Sequence, residues 1–139
     1  MPHPSITVER RDSSAIVRFD RWGRANAVDF AMMDALTEVA RGFEGDTDTT
    51  AIVLTGAADI FTGGMDLRDP AFAGLDQMSL AELRALAERG PRMVRAWGEI
   101  EAPTIAAIEG PCIGGGVVLA SLCDFRVAGQ GARFGAPEV

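Results

Sequence analysis

Histidine is almost missing from this 139-residue chain: His3, close to the N-terminus, is the only one. That leaves no basis for a histidine-dependent catalytic triad or a His-rich metal site. Cysteine is scarce as well. Cys112 and Cys123 sit in apolar surroundings with neither metal-ligand spacing nor a disulfide framework, so both are expected to be reduced core residues. No dense basic run occurs, and 13 Lys+Arg stand against 20 Asp+Glu for a formal net charge of -7. A nucleic-acid backbone is therefore excluded as the natural partner. A small anionic ligand remains compatible, since a few local arginines and backbone N–H groups can hold phosphate on an acidic protein. Every apolar run is broken by charge well short of a membrane span, and no membrane partner is expected. The start, Met1-Pro2-His3-Pro4-Ser5, has neither the basic segment nor the apolar core of a secretory signal, which gives a cytoplasmic expectation.

What is present is the composition of a globular domain, 47% hydrophobic and 24% charged, in one stretch without a linker or repeat. Residues 6–20 read as two short strands around a turn at Asp12-Ser13-Ser14. A loop over 21–28 carries Arg21, Arg24 and Asn26. Asp29 is placed to cap a helix running to about Gly42, with Phe30, Met33, Leu36, Ala40 and Phe43 on its buried face. Ala51–Thr55 is a continuous β-prone apolar run, which predicts a strand covered on both faces. A loop to about Met78 follows. Ser79-Leu80-Ala81-Glu82 is a capping box, opening a helix to Ile100 that uses Leu80, Leu83, Ala87, Val94 and Trp97 and is kinked or divided at Gly90-Pro91. Thr104–Ile108 is a second buried strand, 117–123 an apolar helix and 125–128 a further strand. Strands alternating with helices give an α/β fold with parallel strands.

Two glycine-bearing turns, Gly63-Gly64-Met65-Asp66 and Gly114-Gly115-Gly116, each follow a buried strand. Glycine there serves tight turning and close packing. It would equally let one main-chain N–H from each turn, the second at a helix start, converge on an oxygen that becomes negatively charged. The triplet also invites comparison with a dinucleotide fingerprint. Leu119 stands where the third glycine of that pattern belongs, and no Gly-Lys-Ser/Thr follows for a phosphate loop.

Phe61-Thr62-Gly63-Gly64-Met65-Asp66-Leu67 after Ile52–Gly56 resembles the first signature of the enoyl-CoA hydratase/isomerase (crotonase) superfamily. The run from Pro103 to Gly116 resembles the second. Asn26-Ala27, Cys123–Ala128 and Phe134–Glu138 continue the match in the same order. The resemblance implies the N-terminal portion of a spiral of repeated ββα units, ending before a C-terminal helical region that holds trimers or hexamers together. It also implies an acyl-CoA or enoyl-CoA thioester as ligand, with CoA part of the substrate and neither a separate cofactor nor a metal required. The thioester carbonyl would sit between the backbone N–H groups of Met65 and Gly115. Arg24, Ala25, Ala27, Gly64, Asp66, Leu67 and Arg68 would line the bound CoA, and Phe72, Leu75 and Met78 are candidates for the acyl pocket or for packing on the next helix. Glu138 falls on one of the two glutamate positions of the hydratases, whereas Val118 occupies the other. Valine neither accepts a proton nor orients water, so the expectation is a single-carboxylate proton shuttle of the isomerase type. Hydration, another reaction of the superfamily and a noncatalytic acyl-CoA-binding or assembly subunit stay open as alternatives.

Overall fold

Ile6–Arg11 (β1) and Ser14–Phe19 (β2) form an antiparallel hairpin in the computed structural model, which describes residues 3–138. Met1 and Pro2 of the N-terminal Met1–Ser5 stretch, and Val139, lie outside the described residues. Ala51–Gly56 (β3), Thr104–Ile108 (β4) and Phe125–Ala128 (β6) add to β2 in parallel, giving a five-stranded sheet in the order β1-β2-β3-β4-β6. Two short strands, Pro111–Ile113 (β5) and Arg133–Gly135 (β7), pair in parallel as a second, smaller sheet. An isolated bridge joins Thr62 to Cys112 of β5. From β3 onward the chain therefore repeats one move, a strand in the large sheet and then a short extended piece in the small one. This is the expected spiral.

Five α-helices are described: Phe30–Arg41 (α1), Pro70–Ala73 (α2), Leu80–Ala87 (α3), Arg89–Gly98 (α4) and Gly115–Leu122 (α5). Asp29 caps α1 through a bond from the Met32 N–H, as its position predicts. The apolar face of α1, with Met32, Leu36 and Ala40 buried, packs on α4, where Met93, Ala96 and Trp97 are buried. The Trp97 indole N–H donates to the Leu36 carbonyl at 3.1 Å, so the one polar atom of that ring is satisfied inside the core. Truncating a side chain such as Leu36 here would cost about 2–5 kcal/mol.

Four expectations need correction. The helix expected from 79 to 100 is divided, as Gly90-Pro91 predicts, but the division falls at Glu88, just ahead of that pair. The break falls upstream so that Pro91 lies in the first turn of α4, where a missing N–H leaves no helical bond unmade. Consequently Leu80 and Ala87 face solvent, and the core contacts come from α4. The strand β3 is not covered evenly on both faces: Ile52 and Leu54 are fully buried beneath the helices, while Ala51, Val53 and Thr55 are half-buried. Finally α2 falls in a stretch read as loop, and β5 and β7 are strands where none was expected. Each is too short to carry a periodic signal. Cys112 and Cys123 are buried and free, as expected, and burial pushes the Cys112 thiol up to about 11.

Candidate active site

The first glycine turn hangs from a parallel bridge between Val28 and Met65. The Val28 N–H donates to the Gly64 carbonyl at 2.8 Å, and the Asp66 N–H donates to the Val28 carbonyl at 2.9 Å. A parallel ladder that uses the residues on either side leaves the middle one turned away. Among the described residues the Met65 N–H has no backbone acceptor. Gly64, at φ +91°, has the left-handed backbone that only glycine adopts easily, and a Cβ there would lie 2.9 Å from the Ile113 carbonyl oxygen.

The second turn starts α5. The Gly114 N–H is taken by the Gly135 carbonyl at 2.8 Å, and the first N–H groups bonded back to Gly114 are those of Val117 and Val118. Gly115 is the first residue of the helix, so its N–H lacks an intrahelical acceptor and sits at the positive end of the helix dipole. The two turns are packed together: a Cβ on Gly64 would stand 3.9 Å from the Gly114 Cα. The free N–H groups thus belong to the residues immediately after two backbones in contact.

A cleft of about 450 Å³ opens over the first turn, lined by Gly63, Gly64, Met65, Leu67, Ile113, Pro137 and Glu138. Apart from Glu138 these side chains are small or apolar. The Glu138 carboxylate rests on Gly114, where an added methyl group would overlap its Oε1. Val118 follows Gly115 by three residues on α5 and is 43% exposed, outside the residues lining this cleft.

Asp66 is the electrostatic centre of the neighbouring loop. Its side chain is 2% exposed and meets three guanidinium groups, Arg21 at 3.0 Å, Arg24 at 3.2 Å and Arg68 at 3.3 Å. Burial opposes its ionisation, yet the Arg68 N–H and the guanidinium groups of Arg68, Arg24 and Arg21 together hold the carboxyl below the usual carboxylate range. Arg21 also bridges Asp29, the cap of α1, at 3.1 Å. Arg24 and Arg68 remain 47% and 66% exposed beside the cleft. Of the residues expected to line CoA, Ala27 is buried, Ala25 and Leu67 are exposed, and Asp66 is turned inward, so it meets a ligand only by way of the arginines it holds. Phe72 packs against Phe30 of α1 at 5.4 Å between ring centroids.

Three residues of this region carry more than their sequence positions announce. Asn26 is fully buried: its Oδ1 accepts from the Arg21 N–H at 2.8 Å, and its amide donates to the carbonyls of Ala57 at 3.0 Å and Ile60 at 2.7 Å. Those bonds hold Ala25 and Asn26 at positive φ, 52° and 50°, against the strain such a backbone carries. The Ala25 carbonyl can then accept from the Gly63 N–H at 2.8 Å. Thr62 and Arg21 are the others. The sequence signal for Asn26 and Thr62 is that both fall in stretches resembling the family's motifs, Asn26-Ala27 and Phe61–Leu67; nothing local announces their burial or their bonds.

Among the described residues no group of three or more His, Cys, Asp or Glu side chains is arranged to hold a metal ion, and no helix is long and apolar enough to cross a membrane.

A family profile described as enoyl-CoA hydratase/isomerase matches residues 9–139. The chain is 33% identical over 142 aligned positions to "Probable enoyl-CoA hydratase echA8" of Mycobacterium bovis, covering 100% of this chain and 51% of that protein. It is 35% identical over 130 positions to "4-chlorobenzoyl coenzyme A dehalogenase-2" of an Arthrobacter species, covering 93% and 46%. A crystal structure of an enoyl-CoA hydratase/isomerase from Xanthobacter autotrophicus superposes with a TM-score of 0.86 at 30% identity, over 98% of this chain and 50% of that one. The chain thus spans about half the length of the relatives it matches.

Proposed function

Because the chain belongs to the enoyl-CoA hydratase/isomerase family, we propose that it holds an acyl-CoA thioester with the carbonyl oxygen between the Met65 and Gly115 N–H groups, and that Glu138 moves a single proton. The observation that carries this reading is the Glu138 carboxylate lying on Gly114, next to one donor, in a cleft whose other lining residues offer no acid or base. Arg24 and Arg68, at the cleft's side, supply the positive charge for the phosphates of CoA.

The reaction that suits one carboxylate is a shift of a double bond. Glu138 takes a proton from C2 of a 3-enoyl thioester, and the electron pair of that C–H bond flows into the thioester. Negative charge gathers on the carbonyl oxygen, where the two preorganised N–H groups stabilise it. The proton returns from Glu138 to C4, leaving the 2-enoyl isomer with no change in mass. Each backbone donor in such an arrangement is worth about 2.7–4 kcal/mol of barrier. The proton transfer itself contributes roughly 10²–10⁴-fold.

A second reading, hydration of a 2-enoyl thioester, is favoured by the relative named as a hydratase. Val118 weighs against it, since it supplies no second carboxylate. The dehalogenase relative of comparable identity argues that family membership alone does not choose the reaction.

Incubation of the protein with 3-enoyl-CoA, and separately with 2-enoyl-CoA, decides between these by product mass and ultraviolet absorbance. Isomerisation of the 3-enoyl ester at constant mass, lost in Glu138→Gln, is the expected result. Gain of one water by the 2-enoyl ester would establish the hydratase reading in its place.

A further inference from the structure

Thr62 has no part in the chemistry above, yet every polar and apolar atom of its side chain is engaged. It is fully buried between the two glycine turns. Its backbone is joined to β5 on both sides, the Thr62 N–H donating to the Pro111 carbonyl and the Ile113 N–H to the Thr62 carbonyl, each at 3.0 Å. The hydroxyl donates to the Asn26 carbonyl at 2.7 Å and accepts from the Gly64 N–H at 3.1 Å. The methyl faces Gly116 so closely that a Cβ on that glycine would overlap Thr62 Cγ2. One face of the side chain thus holds the residue before Met65, and the other limits the approach of the residue after Gly115.

We infer that Thr62 is a positioning residue that sets the separation of the Met65 and Gly115 N–H groups, its hydroxyl fixing the first turn and its methyl spacing the second. The inference rests on the reading of these two groups as donors to a thioester carbonyl. Chemistry makes the choice of residue specific. Serine keeps the hydroxyl and leaves a gap at Gly116. Valine keeps the shape but leaves the Gly64 N–H and the Asn26 carbonyl without their partner. Since a displacement of about 1 Å in a reacting group can cost roughly 10²-fold in rate, small changes here should be read out at the carbonyl.

The test uses the whole chain and 4-dimethylaminocinnamoyl-CoA, a push–pull thioester whose absorbance moves to longer wavelength as its carbonyl is polarised. Affinity, absorbance maximum of the bound probe and melting temperature are measured together. Wild type should shift the bound probe to the red. Thr62→Val should still bind the probe while losing most of the shift, with turnover of 3-enoyl-CoA falling about 10- to 100-fold. Thr62→Ser should restore a large part of both. A Thr62→Val protein that melts lower but gives the full red shift per bound probe would reduce the residue to a structural role and overturn the inference. If Thr62→Val does not fold, Thr62→Ser decides, because it retains the hydroxyl bonds and lacks only the methyl: a bound-probe maximum identical to wild type overturns the spacing role. Absence of any red shift with bound probe in the wild type itself removes the donor reading and the inference with it, and is distinguished by the unsubstituted protein alone.

Discussion

At Gly63–Met65 a free N–H is held in place by buried polar side chains, whereas at Gly114–Gly116 one is offered by the start of a helix. The first turn depends on Thr62, Asn26 and the arginine-bound Asp66, which together fix the backbone on both sides of Met65. The second depends on helix geometry, one backbone bond from Gly114 to Gly135 and close packing against Thr62. A turn without regular structure needs side chains to aim its donor, and each is a point at which it can fail. A helix start aims its first N–H groups by repetition of the helix itself. The first turn should therefore be the fragile one.

Gly64→Ala should break that turn most severely. The added Cβ meets the Ile113 carbonyl at 2.9 Å on a backbone with φ +91°, so a loss of about 1–3 kcal/mol or more is expected in denaturant unfolding, together with loss of thioester binding. An equal-stability Gly64→Ala protein would show that the turn can relax and that the contrast drawn here is false.

Asp66→Asn should come next. It leaves Arg21, Arg24 and Arg68 without their shared anion, at a cost of about 1–3 kcal/mol for charged hydrogen bonds. The pH dependence has a definite sign. The folded-state pKa of Asp66 is lowered, so its contribution is complete above the unfolded value of about 4 and disappears as pH falls through the depressed folded value. Unfolding free energy measured from pH 7 downward should drop less steeply in Asp66→Asn than in wild type.

Gly115→Ala should have the smallest effect. No neighbouring atom lies within 4 Å of the position a Cβ would take, and alanine favours a helix by at most about 1 kcal/mol over glycine. Stability should be unchanged or slightly raised. A marked destabilisation would place hidden strain in the second turn and erase its difference from the first.

The same contrast governs what could be read before the fold was known. The helix-borne turn was legible because its elements are periodic: β4, the glycine triplet and the apolar helix after it follow one another in a recognisable order. The α1 cap at Asp29 was legible for the same reason, as were the buried Leu36, Ala40 and Phe43, whereas the expected Phe30 and Met33 are half-buried and Met32 is fully buried instead. The polar network behind Met65 was not. Asn26 and Thr62 are 36 residues apart in sequence, and Arg24 and Asp66 are 42 apart. No local pattern tells a buried asparagine from one in a surface loop, and a charged residue such as Asp66 reads as a ligand contact until its burial is seen. The division of the 79–100 helix was legible from Gly90-Pro91, but its position at Glu88 was not, because the first turn of a helix tolerates proline and no local signal marks the boundary more finely.

Deuterium exchange at C2 of a saturated acyl-CoA addresses the central claim most directly, because it asks only whether the site makes a thioester enolate, whatever the natural acyl group. The ester is incubated with the protein in heavy water and its mass is followed. The account predicts incorporation of deuterium at C2 with wild type and none above background with Glu138→Gln, while both bind the ester. Bound ester that gains no deuterium on the wild-type protein, or exchange that persists undiminished in Glu138→Gln, would contradict it.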